Sequence, residues 1–237
     1  PYFSNALDEI GSLYFTKEAF DGTYPGYGSS YPDLQGALAL LFEQASSRGH
    51  LQDTDYGTMS FAFTIRNQYT SGMATIQAAV ENKAALREYQ QDFFVSAFAK
   101  GKTDQAPAYE FGDPKDANRT KAFIDKLLKH RIKTYASGNG RYVVPTLQSQ
   151  KRMVQSFFET YETYRDSAYY DASAWSVGNF YNMKYRALSS ASGLGQEITS
   201  TENLINVTPV PKTNYAYLVD YNDYNATAVL HYLQEEG

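Results

Sequence analysis

Cysteine is missing altogether, which excludes disulfides, thiolate metal ligands and a cysteine nucleophile, and leaves the redox compartment open. Histidine is scarce: the three in the chain are His50, His130 and His231. They form no His-x-x-Glu or His-x-x-x-His pair, so their spacing offers no self-contained zinc site. Phosphate-cradling Gly-x-x-x-x-Gly-Lys and Gly-x-Gly-x-x-Gly loops and the Gly-x-Ser-x-Gly elbow are also absent. The longest wholly apolar run, Ala37 to Phe42, is far shorter than the ~20 residues that span a bilayer, so no membrane partner is expected. Lys and Arg number 21 against 26 Asp and Glu, a net charge of -5. No basic block is set aside to neutralise a phosphate backbone, so nucleic acid is not expected as a partner.

What is present points to a folded protein. Hydrophobic residues make up 43% and charged residues 20% of 237 positions, enough apolar chain to bury a core in one large or two small domains. Tyrosine is abundant, 22 residues against a single tryptophan. Its apolar body and polar tip suit core edges, and suit interfaces and sugar platforms equally well. Tyr24, Tyr27 and Tyr31 therefore raise a carbohydrate-binding module as one alternative.

Along the first hundred residues, the Gly- and Tyr-rich segment Gly22 to Pro32 reads as a structured loop. The apolar stretch Gly36 to Phe42 follows it. Met59, Phe61, Phe63 and Ile65 alternate with smaller or polar residues, the period of a strand. Ile76, Val80, Leu86, Tyr89, Phe93, Phe94 and Phe98 then follow a helical stripe, predicting one long helix from Gly72 to Lys100 that stops at Gly101. Composition turns polar near Lys102 to Pro107. The chain is thus expected to divide into residues 1–101 and 102–237, the second part carrying a flexible loop at about 187–206.

In that second part, Tyr109 to Asp113 reads as a strand before a helix bearing Phe123, Ile124, Leu127 and Leu128. Tyr215 to Asp220 precedes a second helix bearing Ala228, Val229, Leu230 and Leu233. A strand, a polar turn and a helix are thus used twice, which suggests an α/β layer. Gly138-Asn139-Gly140 marks a turn between Ile132–Ala136 and Arg141–Val144, with Pro145 ending the second strand or placing it at an edge. A helix is expected from about Gln148 to Tyr164. Asp220-Tyr221-Asn222-Asp223 lacks the central glycine and closing glutamate of a calcium loop, so capping is the expected role.

Gly28-Ser29-Ser30-Tyr31, then Gln44-Ala45-Ser46, then Ser60-Phe61-Ala62-Phe63-Thr64-Ile65-Arg66-Asn67 resemble the C-terminal third of the zinc carboxypeptidase family, the carboxypeptidase A/B type. In that family a strand reading Phe-Thr-Phe-Glu-Leu-Arg-Asp carries the general acid/base glutamate, and a tyrosine before Gln-Ala-Ser closes over substrate. Here Thr64 stands at the glutamate position and Glu43 at the tyrosine position. The resemblance implies a fragment: the family's His-x-x-Glu pair and third zinc histidine would lie upstream of Pro1. It also implies Tyr31, Arg48 and Arg66 as substrate-binding positions, and Glu43 either as the carboxylate that replaces position 64 or as a cap or ion-pair partner of its own loop. Tyr142 to Pro145, the Gln148 helix, Tyr170 to Ser176 and Tyr215 to Leu218 resemble the region that follows the peptidase domain in large bacterial carboxypeptidase-like proteins. That region is similar to the class I glutamine amidotransferase fold, a flavodoxin-like sheet, but without the cysteine nucleophile.

The expected fold class is α/β: a partial carboxypeptidase-like α/β/α sheet followed by a partial flavodoxin-like domain. The expected parent reaction is zinc-dependent hydrolysis of a C-terminal peptide bond. This chain would hold no metal ligand or cofactor of its own, and its zinc would be held by the remaining N-terminal half of the peptidase domain, its expected partner. A periplasmic or secreted parent is implied by the family alone. The alternative is a pseudo-peptidase that binds peptide C-termini without cleaving them.

Overall fold

The backbone at Ser60 is extended, with ψ of 154°, and its side-chain oxygen accepts a hydrogen bond from the Phe63 N–H at 3.2 Å. This arrangement caps a helix. In the computed structural model, which describes residues 1–15, 24–102, 106–159, 176–205 and 212–236, the cap ends strand β2 (Gly57–Ser60) and starts helix α3 (Phe61–Glu81). The strand expected over Met59 to Ile65 is therefore corrected: it stops at Ser60, and Phe61 and Ile65, four residues apart, share a helix face. The single helix expected from Gly72 to Lys100 is also corrected, to α3 and α4 (Lys83–Gly101) with a break at Asn82. The Asn82 N–H and side-chain amide both donate to the Ala78 carbonyl, at 3.0 and 2.8 Å, and the amide also donates to the Tyr2 hydroxyl at 3.0 Å. One carbonyl thus takes both bonds, and the next helix starts afresh.

Two compact units make up the chain, Pro1–Gly22 with Tyr27–Phe93, and Thr23–Gly26 with Phe94–Gly237. In the first, α1 (Tyr2–Glu9) packs on α3, α2 (Ser30–Leu34) follows the glycine-rich loop, and β1 (Leu51–Thr54) pairs antiparallel with β2. Residues 37–47 lie between α2 and β1 and run on without turn, bend or helix. Among the described residues no helix is long and apolar enough to cross a membrane.

The second unit is built on β3 (Ala108–Phe111), β4 (Tyr135–Gly138), β5 (Arg141–Pro145) and β6 (Tyr185–Leu188), in the order β4-β5-β3-β6 with every pairing antiparallel. Gly138, Asn139 and Gly140 all have positive φ (88°, 51° and 69°) and close the β4–β5 hairpin. Helix α5 (Ala117–Lys129) starts where the Asp116 carboxylate accepts from the Arg119 N–H at 2.9 Å. Its apolar face meets α6 (Lys151–Phe158) over the sheet. Phe111 and Phe123 are 0% exposed and Phe157 and Phe158 1% exposed. Their rings meet edge-on and tilted at 5.1 to 6.5 Å between centroids, close-packed geometry that aromatic quadrupoles favour. The part of the α6 prediction beyond Glu159, and the Tyr170 to Trp175 motif, lie outside the described residues.

The repeat read from the sequence survives in its turns. Asp113 accepts from the Lys115 N–H at 3.0 Å while Asp116 N–H bonds the Asp113 carbonyl at 3.0 Å. Asp220 accepts from the Asn222 N–H at 3.0 Å, and Asp223 N–H bonds the Asp220 carbonyl at 3.0 Å. Both turns lead into helices, the second into α8 (Ala226–Glu236). The strand expected at Tyr215 to Asp220 does not form: no neighbouring strand pairs with it among the described residues, and Tyr215 and Leu218 are 99% and 100% exposed. A short helix, α7 (Val177–Phe180), precedes β6. In the stretch expected as a loop at 187–206, Gly195 and Gln196 bond Ala136, Ile198 bonds Thr134, and Thr201 bonds Asp125. The fold class is mixed α/β, with two antiparallel sheets and eight helices among the described residues.

The Phe123 ring is fully buried against Phe111, Phe157, Phe158 and Tyr181, so Phe123→Ala is expected to lower unfolding free energy by about 3–5 kcal/mol. Denaturant titration followed by far-ultraviolet circular dichroism checks this.

Candidate functional site

Asn67 lies on the inward face of α3 and is 6% exposed. Its side-chain amide donates to the Ser12 hydroxyl at 2.9 Å and to the Gln44 side-chain carbonyl at 3.0 Å, tying the chain after α1, the 37–47 segment and α3 to one group. One turn along, the Gln68 amide donates to the Phe42 carbonyl at 3.3 Å. Asp33 in turn accepts from the Ala39 N–H at 2.8 Å and fixes the start of the segment to α2. These bonds enclose a cavity of about 680 Å³, whose polar wall includes Ser12, Ser30, Asp33, Glu43, Gln44 and Asn67. A cavity of this size fits a small peptide-like ligand, and its amides, hydroxyls and two carboxylates offer donors and acceptors to orient one.

Of the residues singled out from the sequence, Glu43 lies on this wall. Thr64, Tyr31, Arg48 and Arg66 are not among its lining residues. Thr64 sits in the first turn of α3, and its hydroxyl is buried without a hydrogen-bond partner. Tyr31 belongs to α2, whose Ser30 and Asp33 reach the wall. Arg48 is exposed in the loop before β1. Arg66 lies over the Phe63 ring at 4.9 Å and points a guanidinium nitrogen at Asn67, 3.5 Å from its side-chain oxygen. The sequence reading missed Asn67, Ser12 and Asp33. Asn67 was visible only as the end of the Phe-x-Phe-x-Ile-Arg-Asn run, and reading that run as a strand hid which side of it faces inward.

Zinc finds no ligand set here. The cavity wall carries two carboxylates and no histidine, and among the described residues no group of three His, Cys, Asp or Glu could hold a metal ion. His50 is exposed with its ring 5.7 Å from that of Phe61, His130 lies edge-on to Phe157 at 5.6 Å, and His231 is 3.5 Å from Glu235 on exposed α8. The residues present do not fit the metal.

A second cavity, about 420 Å³, lies at the start of α5 and is lined by Asp113, Thr120, Lys121 and Tyr142 among others. Burial alone would raise the Asp113 carboxyl, but the Lys115 N–H, Lys184 and Arg119 outweigh it and hold it below an ordinary aspartate. Asp125 follows the same rule, with Lys121 and Thr201 overcoming burial. His130 is held below an ordinary histidine by burial first and then by the Lys126 charge. No family model, no curated protein and no solved structure matches the chain.

Two measurements follow from these contacts. Replacing Asn67 by Leu leaves the Ser12 hydroxyl and the Gln44 carbonyl without their donor, so an unfolding free energy lower by about 1–3 kcal/mol is expected in denaturant titration. The pH dependence has a definite sign. All three depressed groups bind fewer protons folded than unfolded, so each contributes stability above its ordinary pKa that is lost as pH falls. Unfolding titrations run from about pH 8 to about pH 3 should show stability falling first as pH drops below the ordinary histidine value of 6.5. A second fall is expected below the ordinary aspartate value of 3.8. The His130→Phe variant should lose the first step and keep the second.

Proposed function

We propose that this chain is part of a zinc carboxypeptidase-type peptidase, and that its Glu43 carboxylate works at the C-terminal bond of a peptide substrate. On this reading the first unit is the closing portion of a carboxypeptidase-like α/β/α domain and the second its accessory domain, without amidotransferase chemistry; the all-antiparallel order of the second unit's sheet departs from the parallel sheet of a flavodoxin-like fold. The observation that carries the reading is the wall of the larger cavity. There Glu43, Gln44 and Ala45 are joined by Ser29 and Ser30 and by Asn67, the last residue of the Ser60 to Asn67 motif, so residues from the three segments that resemble the family line one groove. Since this chain's own residues do not fit zinc, the ligands belong to the remaining half of the peptidase domain. Hydrolysis adds water across the scissile amide. Glu43 takes the proton of the attacking water and returns it to the leaving amine, a transfer for which a carboxylate on a solvent-reachable wall is suited and the buried Thr64 hydroxyl is not.

One observation favours a second reading, a protein that binds peptide C-termini without cleaving them: the position that matches the family's catalytic glutamate is a threonine with its hydroxyl buried away from the cavity. A single experiment separates the two. In the full-length protein, release of the C-terminal residue from N-blocked dipeptides is followed, with peptide binding measured by calorimetry. The peptidase reading expects turnover that falls by about 10²-fold or more in Glu43→Gln while binding is kept. Turnover unchanged in Glu43→Gln overturns the role of Glu43, and binding with no turnover in the parent supports the second reading.

A further inference from the structure

The wall of the larger cavity carries polar groups that the first unit leaves unspent. Ser30 and Ser71 line it and are 3% and 4% exposed. The Ser30 N–H donates to Tyr27 and the Ser71 carbonyl accepts from Thr75, but neither hydroxyl has a hydrogen-bond partner among the described residues. The buried hydroxyl sealed off without a partner is that of Thr64, so the Ser30 and Ser71 oxygens open into the space they line. Buried polar groups are normally satisfied, and a ligand that bonds these two removes the cost of leaving them unpaired.

Helical spacing gathers them beside negative charge. Ser30 and Asp33 stand three apart on α2, and Asn67 and Ser71 four apart on α3, so each pair shares a face. Asp33 spends one oxygen on the Ala39 N–H at 2.8 Å. Its other oxygen and the Glu43 carboxylate have no hydrogen-bond or ion-pair partner among the described residues. Both side chains belong to exposed residues that a ligand can reach. No Lys, Arg or His lines the cavity, so nothing there offsets the two carboxylates and an anionic group is repelled. The same wall has an apolar part, where the rings of Phe3 and Phe42 meet edge-on at 5.0 Å between centroids.

We propose that this cavity binds a small organic cation, a primary ammonium carried on an apolar or aromatic body. An ammonium brings three donors and one positive charge. The Asp33 carboxylate supplies the counter-charge, the Ser30 and Ser71 oxygens accept further N–H bonds, and the body packs against Phe3 and Phe42. A neutral polyol would satisfy the hydroxyls and leave both carboxylates without a counter-charge. A volume of about 680 Å³ lies within the range of small-molecule sites. The inference rests on burial and charge and uses no part of the peptidase reading.

The test titrates the full-length protein in a calorimeter with three probes of one shape: tryptamine, which is cationic, tryptophol, which is neutral, and indole-3-propionate, which is anionic. Tryptamine is expected to bind one per chain, at least about 10-fold more tightly than tryptophol, the margin of a charge-assisted hydrogen bond. Asp33→Asn, whose amide oxygen still accepts from Ala39, should lose that margin, and Asp33→Glu should keep it. Ser71→Ala should weaken tryptamine by about 3-fold or more, the share of one neutral hydrogen bond. Tryptophol or indole-3-propionate bound as tightly as tryptamine overturns the proposal. So does tryptamine binding unchanged in Asp33→Asn, or tryptamine that fails to saturate the protein by about 1 mM. N-blocked dipeptides carry no ammonium at their N-terminus, so their turnover and this binding fail separately.

Discussion

A single buried amide sets the geometry of the first unit. Asn67 is neither charged nor apolar, yet α3 turns it inward with Ser71 and Ala74. There its side chain holds Ser12 and Gln44 together. A buried amide must spend its donors inside the protein, and the segments able to receive them are the ones that carry Glu43 and the polar cavity wall. The cavity and the position of Glu43 follow from which side of the helix Asn67 occupies.

The second unit obeys a different constraint, the shape of aromatic rings. Four phenylalanines from β3, α5 and α6 fill its centre with edge-on and tilted contacts, and its charged residues are arranged around the helix that this core holds in place. Asp116 caps α5 and accepts the Tyr224 N–H at 2.8 Å, while the Arg119 guanidinium pairs with Asp116 and donates to the Asn222 carbonyl. The two repeated Asp turns are thereby joined through one buried ion pair. Such a pair fixes register more surely than it adds stability.

How much of this was legible in the sequence depended on how local the cause was. Helix α5 was readable because Phe123, Ile124 and Leu127 recur at helical spacing, and the β4–β5 hairpin because Gly138-Asn139-Gly140 supplies the positive φ that its turn needs. The start of α3 was misread because Met59, Phe61, Phe63 and Ile65 satisfy a strand period over seven residues while Phe61 and Ile65 also satisfy a helical one. One hydrogen bond to Ser60 decides between them. Glu43 was found as a chemical candidate, but Asn67, Ser12 and Asp33 were not, because residues so far apart in the chain become neighbours only when the helix chooses its inward side.

By itself, then, the sequence determined the exclusions and the local elements. With no cysteine and three scattered histidines it cannot make a thiolate site, and its glycines, apolar spacings and capping aspartates act within a turn or two of the chain. Tertiary structure alone decided which face of α3 is buried, which segments share the cavity, and that the apolar run Ala37 to Phe42 is tied down by Pro32, Asp33 and Gln68. These outcomes depend on partners distant in sequence, because the burial of a polar group or the pairing of a strand has no meaning until another segment arrives to meet it.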